Sequence, residues 1–259
     1  MNRPERLPLR LRLRLWLRLL ILQASWNPQR MQNLGFLYCL LGWYKRLDEV
    51  ADDRRHFFYR YFGFFNTNPY LAGFLVGGLT RLEAENRDNS GVSSQVLVTY
   101  RDSLARAFAS LGDQLFWLGL KPALTLIACV LALAGNVAGA LGVFGMFLVC
   151  QLALRWWSLE AGYRRGLDIL DLLDNPIWHR LILVAKRVSL VAAGLVAGMF
   201  LAGTWSEGSA ACAILFGTGL VLGAVVPRLS KRRLPGEVLM LIGVAVCLGL
   251  GFAISLPGG

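Results

Sequence analysis

Residues Tyr61–Thr80 read YFGFFNTNPYLAGFLVGGLT, twenty residues without a charge. About 20 apolar residues are what a helix needs to cross a bilayer. Yet Asn66-Thr67-Asn68-Pro69 stands inside the stretch. Pro69 lacks a backbone N–H and its ring crowds the preceding turn. It also pushes Asn68 out of the helical region. The pattern predicts a helix that enters at Phe62, breaks near Asn66 and restarts at Pro69, a favoured first helical position. Irregular backbone at membrane depth is tolerated only where protein buries it or where it lines a wet cavity. Asn66, Thr67 and Asn68 bring neutral donors and acceptors to the break, as broken helices in many transporters do. A water-facing loop between two short helices is the alternative, and the rest of the chain decides between them.

Composition places that stretch in a membrane. Of 259 residues, 56% are hydrophobic, 28 are glycine and 17% are charged, with a mean hydropathy of +0.51. Soluble domains carry roughly 25% charge. The net charge of +11 gathers at the ends of apolar segments, which fits membrane orientation. No basic groove with interleaved aromatics occurs, which argues against nucleic acid as a partner. The five cysteines lie singly in apolar stretches without a C-x-x-C, as buried free thiols do. His56 and His179 lack ligand-like spacing, so neither a metal nor another cofactor is expected.

On the N-terminal side, residues 7–22 (LPLRLRLRLWLRLLIL) alternate leucine and arginine. In a helix Arg10, Arg14 and Arg18 share one stripe, with Arg12 to the side. A lone strand near a bilayer leaves its backbone unsatisfied, so an interfacial amphipathic helix over 1–22 is expected. The segment is a poor signal peptide, because arginines run through it and no small-residue cleavage site follows. Gln23–Phe36 is polar and aromatic, and the apolar run on to Tyr44 is too short to span, which predicts a re-entrant or buried helix. Trp26 suits an interface anchor. Asn27-Pro28 suits a helix start as well as it suits a functional role. Residues 45–60 are charged, helix-compatible and placed outside the lipid.

On the C-terminal side, residues 81–102 are polar and predict an exposed loop. Within 103–122, Gly112-Asp113 separates two apolar runs. An acid at membrane depth marks a functional site by default. Asp113 also suits a cap for a helix Gln114–Leu120, and the two roles are compatible. Residues 123–154 are apolar and interrupted at Gly135-Asn136, either one tilted span or two half-helices. Residues 155–187 alternate bases and acids and predict a cytoplasmic-side helix pair. Apolar segments follow at about 188–205, 210–227 and 237–256. The connector Arg228–Arg233 carries four basic residues and Ser206–Ser209 none, which puts Arg228–Arg233 in the cytoplasm and Gly259 outside. The domains expected are therefore 1–22, a core at 23–187 and C-terminal transmembrane helices at 188–259: an all-α integral membrane protein with re-entrant and broken helices.

Several motifs together resemble the IID subunit of the mannose/fructose/sorbose phosphotransferase transporters. They are Gln23-Ala24-Ser25-Trp26-Asn27 with Arg30-Met31-Gln32-Asn33-Leu34-Gly35-Phe36, then Phe64-Phe65-Asn66-Thr67-Asn68-Pro69-Tyr70. Next come Leu111-Gly112-Asp113-Gln114-Leu115-Phe116-Trp117 with Pro122, and Arg155, Gly162-Tyr163 and Gly166. Order and spacing match over about residues 12–256. The resemblance implies a multi-pass subunit in the bacterial inner membrane that pairs with a IIC subunit, as a trimer of such pairs. It implies inward transport of a hexose phosphorylated by cytoplasmic IIA/IIB phosphocarriers, the IID chain itself staying unphosphorylated. The chain departs from the family where a Gly-Pro pair gives way to Ala105-Arg106-Ala107-Phe108.

Two functions follow from different classes. One is a IID transport subunit sharing the sugar path with IIC. The other is a degenerate, non-transporting relative that docks IIA/IIB proteins, favoured by the lost Gly-Pro. A membrane-embedded enzyme lacks any nucleophile–base constellation. A sugar needs amides that donate and accept, a carboxylate that accepts, and an aromatic face. The residues of those types are Asn66, Thr67, Asp113, Gln23, Trp117 and Asn27, with Asn66 and Asp113 expected to line one polar cavity.

Overall fold

The computed structural model describes residues 6–44, 51–87 and 92–206. The expected spans at 210–227 and 237–256, and the orientation of Arg228–Arg233, lie outside the described residues. Those described are helical apart from short connections and two isolated bridges, Asn27 to Met31 and Met31 to Phe65.

Helix α1 (Leu9–Leu20) is the leucine–arginine segment. Leu7, Leu11, Leu15, Leu19 and Leu22 recur every three or four residues and are buried, the spacing of one helix face. That face lies on α2 (Asn33–Tyr44). Helix α2 is buried nearly all round, from Phe36 to Tyr44, as a run too short to span must be.

Around the decisive stretch the structure corrects two expectations. Helix α3 (Ala51–Tyr61) ends at Tyr61 instead of entering at Phe62. Helix α4 (Ala72–Arg87) starts three residues after Pro69. The delay has a local cause. The Asn68 side chain accepts the Tyr70 N–H at 3.1 Å. The Asn68 carbonyl then accepts Leu71 and Ala72 N–H at 3.1 Å each. A turn built by Asn68 therefore occupies the place where Pro69 alone suggested helix.

The exposed loop expected at 81–102 is mostly helix: α4 continues to Arg87 and α5 (Ser94–Gly112) begins at Ser94. Several of its described charges are paired in place. Arg60 holds Glu83 through both carboxylate oxygens at 3.1 and 3.0 Å. Arg81 pairs with Glu85 at 2.6 Å, and Arg101 donates to the Arg60 carbonyl.

Nor does Gly112-Asp113 interrupt a helix. Asp113 has helical angles, φ −65° and ψ −42°. The chain runs on through a π-helical turn, Asp113–Leu120, into α6 (Lys121–Leu133). The break at Gly135-Asn136 is real. Gly135 has φ +80°, a conformation open to glycine. Asn136 accepts the Gly139 N–H at 2.8 Å and caps α7 (Val137–Arg165), so 123–154 forms parts of two helices. The pair expected at 155–187 is the end of α7, a tight 3₁₀ turn at Gly166–Ile169, a one-turn α8 (Leu170–Leu173) and the start of α9 (Pro176–Ser206). Ser94–Leu133 and Val137–Leu173 are each long and apolar enough to cross a membrane.

Helices α4 and α7 pack through glycine. A Cβ on Gly77 would stand 2.1 Å from the Leu159 carbonyl oxygen, and one on Gly162 would stand 2.2 Å from that of Phe74. Small residues let backbones approach where lipid supplies little hydrophobic drive. This contact fixes α4, and with it the loop that precedes α4.

Candidate functional site

The loop 62–71 is held on two sides. The first support is the loop after α1. Gln32 N–H donates to the Phe65 carbonyl at 2.9 Å and Phe65 N–H to that of Arg30 at 3.4 Å. The Gln32 side chain accepts Thr67 N–H at 3.2 Å, and Asn33 Nδ2 donates to the Phe62 carbonyl at 2.9 Å. Phe36 and Phe65 stack at 3.6 Å. Here Asn27 is a builder. Its Oδ1 accepts Arg30 N–H at 2.8 Å and its Nδ2 donates to Asn33 Oδ1 at 3.3 Å. No helix starts at Pro28.

The second support is the π-helical turn. Asn68 Nδ2 donates to Asp113 Oδ1 at 3.2 Å. Gly112 makes room for that contact, because a Cβ there would lie 2.3 Å from Asn68 Cβ and Cγ. The Tyr70 ring packs 4.5 Å from Phe116 and 6.3 Å from Trp117. Lys121 Nζ stands 3.3 Å over the Trp117 ring. Arg155 donates to the Pro69 carbonyl at 3.3 Å and lies 4.8 Å over Tyr70, the spacing of a cation–π contact.

The predicted residues therefore divide. Thr67, Asp113 and Trp117 meet along one seam through Asn68 and Tyr70. Thr67 is buried and its hydroxyl has no hydrogen-bond partner, an unusual cost for a polar group. Asn66 is exposed on the same loop. Gln23 is exposed beyond α1, where its carbonyl accepts Trp26 N–H at 3.2 Å. Arg106 is exposed on α5. Gln32, Asn33, Asn68 and Gly112 also build the seam; the sequence marks Asn68 and Gly112 at the two interruptions, but none of the four is among the expected site residues. Asn68 stands out by its place before Pro69; Gln32 and Asn33 lie in the Arg30–Phe36 motif, but nothing local pairs them with the loop.

A cavity of about 810 Å³ lies elsewhere, lined by Trp43, Tyr44, Arg60 and Glu83 among others, and by none of the six predicted side chains. Tyr61 donates to Glu83 Oε1 at 2.6 Å beside it. Burial raises the Glu83 carboxyl above its ordinary range despite Arg60. The acid is already paired, so this cavity presents less free hydrogen-bonding chemistry than the seam.

A membrane-embedded, all-helical chain with irregular, amide-rich backbone clamped between apolar helices is the class these features define. Residues 8–210 match the family model for the PTS system mannose/fructose/sorbose family IID component, and the chain belongs to that family. The match ends earlier than the motif reading's 256. The chain is similar to the sorbose-specific EIID component of Klebsiella pneumoniae, 29% identical over 70% of this chain and 66% of the relative. The fructose permease IID component of Bacillus subtilis is 30% identical over 68% and 65%. The mannose-specific EIID component of Escherichia coli is 28% identical over 69% and 64%. The alignments thus span about two thirds of these relatives' own lengths. Among solved structures, one described as a membrane protein superposes with TM-score 0.67 at 26% identity, covering 74% of this chain and 71% of its own. A chain of the mannose transporter ManYZ in complex with microcin E492 superposes with TM-score 0.59 at 22% identity, covering 98% and 100%, a likeness of fold.

Proposed function

We propose that this chain is the IID subunit of a phosphoenolpyruvate-dependent sugar transporter, building the translocation path together with a IIC subunit. It works in the bacterial inner membrane as a multi-pass protein, in a trimer of IIC–IID pairs served by IIA/IIB phosphocarriers. The chain contributes no phosphoryl chemistry; its part is to hold polar groups at membrane depth. The observation that carries this reading is the Asn68–Asp113 bond at 3.2 Å beside the unpartnered Thr67 hydroxyl. The bond uses one Asp113 oxygen and leaves the other as an acceptor for a sugar hydroxyl. Thr67 adds a second group able to donate and accept, and Trp117, 42% exposed, offers an apolar ring face. Asn66 faces outward on the same loop, toward the side a IIC subunit or the solute would occupy. Gln23 and Asn27 shape the supporting loop.

The test is uptake and phosphorylation of a hexose by the reconstituted complex, with and without this chain. Asp113→Asn keeps volume and removes charge. Normal expression with uptake reduced at least tenfold is expected, and Asn66→Ala is expected to weaken uptake less. Unchanged uptake in both, with normal expression, refutes the sugar site.

A further inference from the structure

Helix α1 carries two leucine faces. The inner one is buried on the protein. The outer one, Leu9, Leu13, Leu17 and Leu20, is 70%, 46%, 52% and 39% exposed. At about 3.6 residues per turn these four fall within an arc of roughly 80°, bounded on one side by the Arg10–Arg14–Arg18 stripe. Arg10 and Arg14 are exposed, and residues 6–22 contain no acid. Arg18 is engaged with the Tyr38 carbonyl, and Arg14 only weakly, at 3.4 Å, with that of Gly42. Among the described residues neither Arg10 nor Arg14 has a carboxylate partner.

The height of α1 is set by α7. Arg12 Nη2 donates to the Trp156 carbonyl and Trp16 Nε1 to that of Leu152, each at 3.0 Å. Arg12 also faces Glu160 at 3.5 Å. Residues 152–160 are where the apolar part of α7 gives way to Arg155, Glu160 and Arg164. A helix pinned at that level, with leucines on one face and, among the described residues, no carboxylate beside Arg10 or Arg14 on its edge, has the composition of an interfacial helix that favours acidic lipid.

We propose that the outer face of α1 seats in the headgroup–acyl boundary of the bilayer and selects anionic phospholipid through Arg10 and Arg14. Uncompensated positive charge beside flexible aliphatic side chains suits phosphate headgroups over acyl chains. A protein partner covering this face would have to supply acids for both arginines.

The experiment uses the full-length chain in nanodiscs of mixed phosphatidylglycerol and phosphatidylcholine. A nitroxide at Leu13→Cys, with the native cysteines replaced by alanine, is expected to be accessible to dissolved oxygen. Native mass spectrometry of wild type is expected to retain phosphatidylglycerol over phosphatidylcholine. Arg10→Gln with Arg14→Gln removes up to about twenty-five-fold of that preference, from roughly fivefold per arginine, and Arg10→Lys with Arg14→Lys keeps it. A nitroxide shielded from oxygen shows a protein surface covering α1 and overturns the proposal. So does an oxygen-accessible nitroxide with equal lipid preference in wild type and the glutamine pair. If the glutamine pair fails to fold, absence of any preference in wild type is decisive against it.

Discussion

Gly112→Ala probes the contact on which the seam depends. The added Cβ would stand 2.3 Å from Asn68 Cβ and Cγ and 2.8 Å from its Nδ2. Asn68 has no easy retreat, because its carbonyl accepts two N–H groups at 3.1 Å and its side chain a third at 3.1 Å. Overpacking of this kind costs about 1–3 kcal/mol. Losing the Asn68–Asp113 bond adds about 1 kcal/mol, the ordinary worth of a hydrogen bond and below that of a buried charged pair, because Asp113 is exposed. Alanine's better helix propensity returns about 1 kcal/mol. The net is a loss of roughly 1–3 kcal/mol, a fall of about 2–12 °C in the unfolding midpoint for a chain of this size. The control is Gly145→Ala in α7, where nothing lies within 4 Å of the added Cβ, so its midpoint holds or rises. Asn68→Gly in the Gly112→Ala background removes the atoms that clash, so the double variant loses less than the two single variants combined. Thermal unfolding of these four variants, Asn68→Gly alone included, in one detergent gives the values. Equal midpoints for Gly112→Ala and Gly145→Ala would refute the close approach of the loop to the π-helical turn.

Glu83 gives a pH signature. Its folded-state pKa is raised above the ordinary 4.5 by burial. Its contribution to stability is therefore fully present below the unfolded pKa and lost as pH rises through the folded value. Glu83→Gln, which can still bond to Arg60 and Tyr61, should remove that decline; a wild-type-minus-variant stability difference that grows with pH contradicts it. Cys39 is buried, with its thiol pushed up to about 12 by desolvation, while Cys129 and Cys150 are exposed. Iodoacetamide needs thiolate, so at neutral pH Cys39 should resist alkylation until the protein unfolds; modification of the native protein, read by mass spectrometry, would show that α2 is open. Arg12→Ala removes two bonds to the Trp156 carbonyl and one of two cations facing Glu160, the other being Arg164. It should cost about 1–3 kcal/mol and make residues 6–22 the first to be cut in limited proteolysis, and an unchanged cleavage order argues against α1 being held on α7.

Membrane residence, all-helical class, family membership and the break near Asn66–Pro69 were legible in residue types and their order. An apolar run of given length, a proline between asparagines and a ladder of leucine and arginine each act through local rules that hold in any surroundings. The apolar run after Phe36, too short to span, and the interruption at Gly135-Asn136 were legible too, but local rules leave open whether the first is re-entrant or buried and whether the second splits the helix.

Tertiary contacts decided the rest. Gly112 looked like a helix breaker, but glycine stands there to admit the Asn68 side chain, and no local rule distinguishes the two uses. Residues 81–102 looked like a loop because their charges were counted as solvated. Arg60, more than twenty residues earlier, pairs with Glu83, which lets α4 carry on to Arg87. Asp113 was visible as an acid in an apolar run; its partner proved to be Asn68, not Asn66, because the Asn68 turn rotates one amide inward and leaves the other outside. Local sequence determines which backbone states are cheap, whereas pairing between distant side chains determines which polar groups can be buried. The seam is made of those pairings, so only the folded chain could assemble it.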